Sequence, residues 1–128
     1  MRVIAIILAS LISVPAMALD LDAPFGNIDG GEIRLSEWAG QPVLVVNTAS
    51  RCCEVNFGLD IPMTTITSVR GEAVHPFYAS VLAETGFAPT WNFNKVLIAP
   101  DGRVAGTWGS TTRPTSGQIT EKIEAMLN

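Results

Sequence analysis

The chain is poor in the residue types from which most chemical sites are built: in 128 residues it has two cysteines, one histidine and one tyrosine. Cys52, Cys53 and His75 are its whole stock of thiol and imidazole ligands, and they show none of the repeated spacing of a zinc or iron site, so no metal site is expected. Basic residues are scarce as well. Eight Lys and Arg stand against twelve Asp and Glu, with no basic run, which argues against nucleic acid and anionic membrane surfaces as partners. Repeats, low-complexity tracts, phosphate loops, serine elbows and carboxylate pairs are also missing.

Long apolar runs are missing except at the start. "MRVIAIILASLISVPAMA" has one arginine, an apolar stretch from Val3 to Val14 and a small-x-small pattern at Ala16-Met17-Ala18. The stretch is shorter than the roughly 20 residues of a membrane helix, so it reads as a cleavable signal peptide over 1–18. Cleavage after Ala18 leaves one small domain, 19–128, with a net charge near −5 and no membrane segment, placed in the periplasm or outside the cell.

Export puts both cysteines in an oxidising compartment, where a pair normally means a structural disulfide. Here they are neighbours in "NTASRCCEVNFG". Adjacent Cα atoms lie about 3.8 Å apart across a trans peptide, below the roughly 4.4 Å lower edge of ordinary disulfides. A bond between them would be strained and easily reduced, so the thiols read as chemical and not structural.

Along the mature chain, "FGNIDGGEIRLSEWAG" predicts a β-hairpin turning at Asp29-Gly30-Gly31, then a short helical turn capped by Ser36 and stopped by Gly40. Val43 to Val46 is a continuous apolar run, typical of a strand covered on both faces in a parallel sheet. The helix that should follow such a strand is absent: "RCCEVNFGLDIPMTT" holds Gly58 and Pro62 and no helical period. "HPFYASVLAETG" predicts a helix from Pro76 to the stop at Gly86, with Phe77/Val81 and Tyr78/Leu82 at i, i+4 spacing. "NFNKVLIAPDGRVAGTW" predicts a hairpin turning at Asp101-Gly102. "TSGQITEKIEAMLN" predicts a closing helix with a Thr115/Gln118 capping box and a stripe of Ile119, Ile123, Met126 and Leu127. The order is that of an α/β sandwich lacking one βα unit.

Several of these segments together resemble the glutathione peroxidase family, whose fold is thioredoxin-like. "IDGGEIRLSEWAGQPVLVVNTASRC" resembles the hairpin and first core strand that end at the family's peroxide-reactive residue. "WNFNKVLIAPDGRVAGTW" with "TTRP" resembles its Trp-Asn-Phe strand and hairpin, and "NFGLDIPMTTITSVRGEAVHPFY" the segment between. The departure lies between Cys52 and Cys53. There the family usually has a glycine, a helix, a strand carrying "FPCNQF" and a second helix, roughly fifty positions that include its active-site glutamine, far beyond ordinary loop variation.

The resemblance implies a thiol-dependent peroxidase reducing hydrogen peroxide or organic hydroperoxides with glutathione or a thioredoxin-type protein. Cys52 takes the place of the nucleophile, and Trp91 and Asn92 those of hydrogen-bond donors to the thiolate and the departing oxygen. Cys53 takes that of the resolving cysteine in the thioredoxin-dependent branch. Loss of the segment is expected to impair activity and to leave the Val43 to Thr48 strand as an apolar edge open to pairing with a second copy. Two other readings stand beside it: a non-catalytic thioredoxin-like remnant or partner-binding domain, and a copper- or zinc-handling protein using Cys52, Cys53 and His75. Without the family, His75 reads as an N-cap or exposed residue, and Trp38 and Trp108 as hydrophobic cover.

Overall fold

The computed structural model describes residues 18–49 and 61–128. Residues 1–17 of the expected signal peptide over 1–18, and both cysteines, lie outside the described residues. Strands β1 (Phe25–Gly26) and β2 (Glu32–Ile33) form the expected hairpin, Phe25 opposite Ile33. Residue Thr64 adds a bridge to Asn27, and the Thr65 N–H donates to the Gly26 carbonyl at 2.7 Å. Gly26 is required by that approach: a Cβ there would lie 2.5 Å from Thr65 Oγ1.

A 3-10 turn over Leu35–Trp38 follows. It begins one residue before Ser36, and its entry is held by the Arg34 N–H donating to Glu37 Oε1 at 3.1 Å, so Ser36 is not its cap. Strand β3 (Val43–Val46) pairs antiparallel with β4 (Lys95–Ile98), which pairs antiparallel with β5 (Val104–Trp108). The parallel neighbour suggested by the apolar run of β3 is not found among the described residues. Instead β3 is half-buried at one edge of a three-stranded sheet of order β3-β4-β5. The β4-β5 register shifts after Leu97, a bulge at Ala105.

Helix α1 (Pro76–Thr85) has the bounds its sequence predicts, with Pro76 at its first position and Gly86 in the left-handed conformation (φ 73°) as its stop. Phe77 and Val81 are fully buried and Tyr78 nearly so; Leu82 is half-exposed and does not complete its expected pair. These side chains pack with Phe25, Ile33, Leu35, Val96 and Ile98, and with Val43, Val45 and Trp38 at the margin. Each fully buried Phe or Val there contributes about 1.5–3 kcal/mol.

Alternation sends Leu97, also fully buried, to the other face of β4. Helix α2 (Gly117–Leu127) reaches β5 through Lys122 Nζ, which donates to the Ala105 carbonyl at 3.3 Å, and its Ile119 is fully buried. The start is one residue later than a Thr115 cap implies: Ser116 stands at N-cap, its carbonyl accepting from Ile119 and Thr120 while its hydroxyl is buried without a partner among the described residues. Leu127 is exposed and does not join the buried stripe. No helix among the described residues is long and apolar enough to cross a membrane.

Candidate functional site

Strand β3 ends where a polar residue first interrupts its apolar run, at Asn47. That residue meets the turn before β4. Its Nδ2 donates to the Trp91 carbonyl at 2.8 Å, and its Oδ1 accepts from the Asn94 N–H at 2.9 Å. Its carbonyl accepts from the Phe93 N–H at 2.6 Å, and its N–H donates to the Asn94 carbonyl at 3.2 Å. Asn94, buried, sends its own Nδ2 to the same Trp91 carbonyl.

The turn so held contains both described members of the expected site. Trp91 is 73% exposed and Asn92 half-buried. Among the described residues neither the Trp91 indole N–H nor the Asn92 side-chain amide has a protein partner, so these donors are turned to no internal task. Phe93 adopts φ 60°, a left-handed conformation that costs a bulky residue about 1–2 kcal/mol. The structure thus brings Trp91 and Asn92 to the end of the strand whose sequence reaches Cys52 five residues after Asn47. Cys52 and Cys53 themselves are outside the described residues.

The residue after Asn94 is a buried lysine with no carboxylate partner among the described residues. Lys95 is 1% exposed, and its Nζ donates to the carbonyls of Gly109 (3.5 Å), Ser110 (3.4 Å) and Thr112. Burial pulls its ammonium below the ordinary lysine value. The carbonyls stand in for the missing anion, and the ammonium fastens the loop after β5 to the start of β4.

His75 caps helix α1. Its Nδ1 accepts from the Phe77 N–H at 3.2 Å, and its Nε2 lies 3.0 Å from the Pro24 carbonyl, so both ring nitrogens are in use and the N-cap reading is the one observed. A metal site drawing on His75 would have to break one of the two bonds. Among the described residues no cluster of three potential ligands occurs. An apolar groove of about 600 Å³ runs along β3, lined by Val43, Val45, Trp38, Met63 and Tyr78 among others.

The sequence singles out Trp91 and Asn92 and gives no emphasis to Asn47 and Lys95, which the structure places at the same turn. The signal for Asn47 was available as an amide placed directly after four apolar residues. For Lys95 none was, since a lysine at the head of a strand ordinarily reaches water.

No protein-family model matches the chain. Over 73 residues it is 40% identical to glutathione peroxidase 7 of Homo sapiens, covering 56% of this chain and 39% of the relative. The chain therefore spans about two fifths of the length of the mammalian relatives it matches. It is 26% identical over 149 residues to glutathione peroxidase homolog BsaA of Halalkalibacterium halodurans, covering 78% of this chain and 94% of the relative. Since 78% of 128 residues is about 100, about fifty positions of that relative have no counterpart here. In structure, the chain matches the crystal structure of Trgpx in apo form with a TM-score of 0.69 at 30% identity, covering 83% of this chain and 96% of that one. The match to T. cruzi GPX1, TM-score 0.63 at 22% identity over 81% and 93% of the two chains, adds the same fold. On these matches the chain belongs to the glutathione peroxidase family and has a shortened thioredoxin-like fold.

Proposed function

We propose that the protein is a thiol-dependent peroxidase acting on hydrogen peroxide or organic hydroperoxides. The observation that carries this reading is the position of Trp91 and Asn92, whose side-chain donors have no protein partner among the described residues, in the turn bound to Asn47, which stands five residues before Cys52 in sequence. The Cys52 thiolate attacks the terminal peroxide oxygen, the O–O bond breaks, and the other oxygen leaves as water or alcohol after taking a proton. Cys52 becomes a sulfenic acid. One thiol converts it to a mixed disulfide with loss of water, and a second thiol releases the reduced cysteine and a disulfide. The Trp91 indole N–H and the Asn92 amide donate to the negative charge that develops on the oxygen.

The reductant is a thiol, glutathione or a thioredoxin-type protein; a relative from Escherichia coli bears the name thioredoxin/glutathione peroxidase, which supports either. Organic hydroperoxides are supported by a Synechocystis relative named hydroperoxy fatty acid reductase. Cys53 stands at the family position of a resolving cysteine, with a passenger thiol as the alternative reading. Its adjacency to Cys52 makes the internal route strained, which favours an external thiol. A thiol-coupled peroxide assay comparing the wild type with Cys52→Ser tests the reading. Peroxide consumption above the Cys52→Ser rate is expected, and equal background rates in both would remove it.

The second reading, a non-catalytic remnant or partner-binding domain, is favoured by the about fifty unmatched positions, and the same assay decides between them. The protein is proposed to be periplasmic or secreted, with Leu19 as first residue of the mature chain. In support, Leu19 is the first packed side chain of the described residues, and the Asp20 N–H donates to Ser80 Oγ at 3.0 Å. Mass spectrometry of the exported protein should find Leu19 at the N-terminus; retention of 1–18 would reject this. A homodimer through the outer edge of β3 is supported by its uncharged Val-Leu-Val-Val sequence and its position at the sheet edge. Sedimentation showing a monomer at every concentration would exclude it.

A further inference from the structure

We propose that Asn47 is the positioning residue of this site: its side-chain amide holds the Trp91 to Asn94 turn, and with it the Trp91 and Asn92 donors, against the end of β3. The catalytic half of this statement rests on the peroxidase reading; the structural half does not.

The turn does not hold its shape by itself. Phe93 is in a left-handed conformation that a bulky residue keeps only when its surroundings impose it. Trp91 is 73% exposed, so its ring is not fixed by packing, and the direction of its indole N–H follows from the backbone that carries it. That backbone is tied at four points to Asn47: the Trp91 carbonyl, the Phe93 N–H, the Asn94 N–H and the Asn94 carbonyl. The bonds to the Phe93 N–H and the Asn94 carbonyl use the Asn47 backbone and survive its replacement by Ala or Asp. The other two use both ends of one carboxamide, a donor for a carbonyl and an acceptor for an N–H, with 44 and 47 residues of chain between the partners.

Few side chains can do both at once. Aspartate keeps the acceptor and sets a negative oxygen against the Trp91 carbonyl; alanine keeps neither; serine has one atom for two tasks. Asn94 also reaches the Trp91 carbonyl, but from inside the turn, so it shapes the turn without attaching it to β3. Among the described residues, Asn47 is the side chain that joins the turn carrying these donors to the end of β3. A displacement of about 1 Å at such a position is enough to cost about a hundredfold in rate.

The experiment is a double-mutant cycle on the expressed protein. Peroxide kcat/KM is measured for the wild type, Asn47→Ala and Asn47→Asp, and again for each in a Trp91→Phe/Asn92→Ala background. With the donors present, each substitution should lower kcat/KM about ten- to a hundredfold; with the donors removed, the further loss should be under about threefold. Equal losses in both backgrounds, or no loss with the donors present, would overturn the proposal. Amide hydrogen exchange supplies a readout independent of activity. Exchange of the Asn94 N–H should quicken at least about tenfold in Asn47→Ala and stay near wild type in Asn47→Asp, while the Ile119 N–H is unchanged in both. If the wild type is no faster than Cys52→Ser, the peroxidase reading has failed and exchange alone decides. Unaltered Asn94 exchange in Asn47→Ala then overturns the positioning role. Should Asn47→Ala not fold, Asn47→Asp carries both measurements: it must lose rate only where the donors are present, with Asn94 exchange kept.

Discussion

The His75 imidazole lies flat on the Phe25 ring, with centroids 3.8 Å apart and planes inclined by 16°. This stack joins the N-cap of α1 to the first strand of the hairpin, and the two ring nitrogens extend the link to the Phe77 N–H and the Pro24 carbonyl. His75→Ala should therefore lower stability by about 1–2 kcal/mol, read as a lower urea midpoint. His75→Ser should recover part of the loss, because a hydroxyl restores the cap acceptor but neither the stack nor the Pro24 bond. A midpoint in His75→Ala equal to wild type would show that the link carries no stability.

Tyr78 is the only tyrosine, and burial pushes its phenol up from 10.0 to about 12. Folding thus favours the protonated form. Stability is fully present below pH 10 and falls as pH rises from about 10 to about 12, where the unfolded chain has lost the proton and the folded chain retains it. The loss across that window is of the order of 3 kcal/mol. Urea melts between pH 9 and pH 12, with tyrosinate absorbance as the titration monitor, should show this fall in the wild type. In Tyr78→Phe the Tyr78 component of the fall should be gone; identical pH profiles would count against it.

Replacing Lys95 by methionine tests what the buried ammonium does. Lys95→Met keeps the length of the side chain but leaves the Gly109, Ser110 and Thr112 carbonyls without their donor, at a cost of about 1–3 kcal/mol. Limited proteolysis should cut faster between Gly109 and Thr112. Protection equal to wild type would mean that the loop is held by other contacts.

Gly106 has its place because Trp108, two residues on along the same face of β5, lays its ring over it. A Cβ at Gly106 would lie 2.8 Å from Trp108 Cζ2, and closer still to Cη2. Gly106→Ala should destabilise by about 1–3 kcal/mol. In a Trp108→Leu background the same substitution should cost less, since the obstructing ring is gone. Equal costs in both backgrounds would place the strain elsewhere.

Both hairpins and α1 were legible because their causes are local. Asp29-Gly30-Gly31 and Asp101-Gly102 turn the chain, Pro76 and Gly86 bound the helix, and alternation within Lys95–Ile98 sorts side chains to two faces. The two capping errors are displacements of two residues, Ser36 to Arg34, and of one, Thr115 to Ser116, because several neighbouring polar groups can cap and packing selects among them.

The sequence by itself determined that Cys52 and Cys53 are neighbours, that Val43 to Val46 forms a strand, and that "WNF" precedes another. Tertiary structure alone decided that β3 pairs antiparallel with β4, that Lys95 is enclosed by three carbonyls, and that Asn47 binds a turn 44 residues away. The physical reason is the range of the forces concerned. Turn and helix preferences act within a few residues and leave a trace in spacing, whereas a carboxamide takes its partners from whatever the folded chain brings to it.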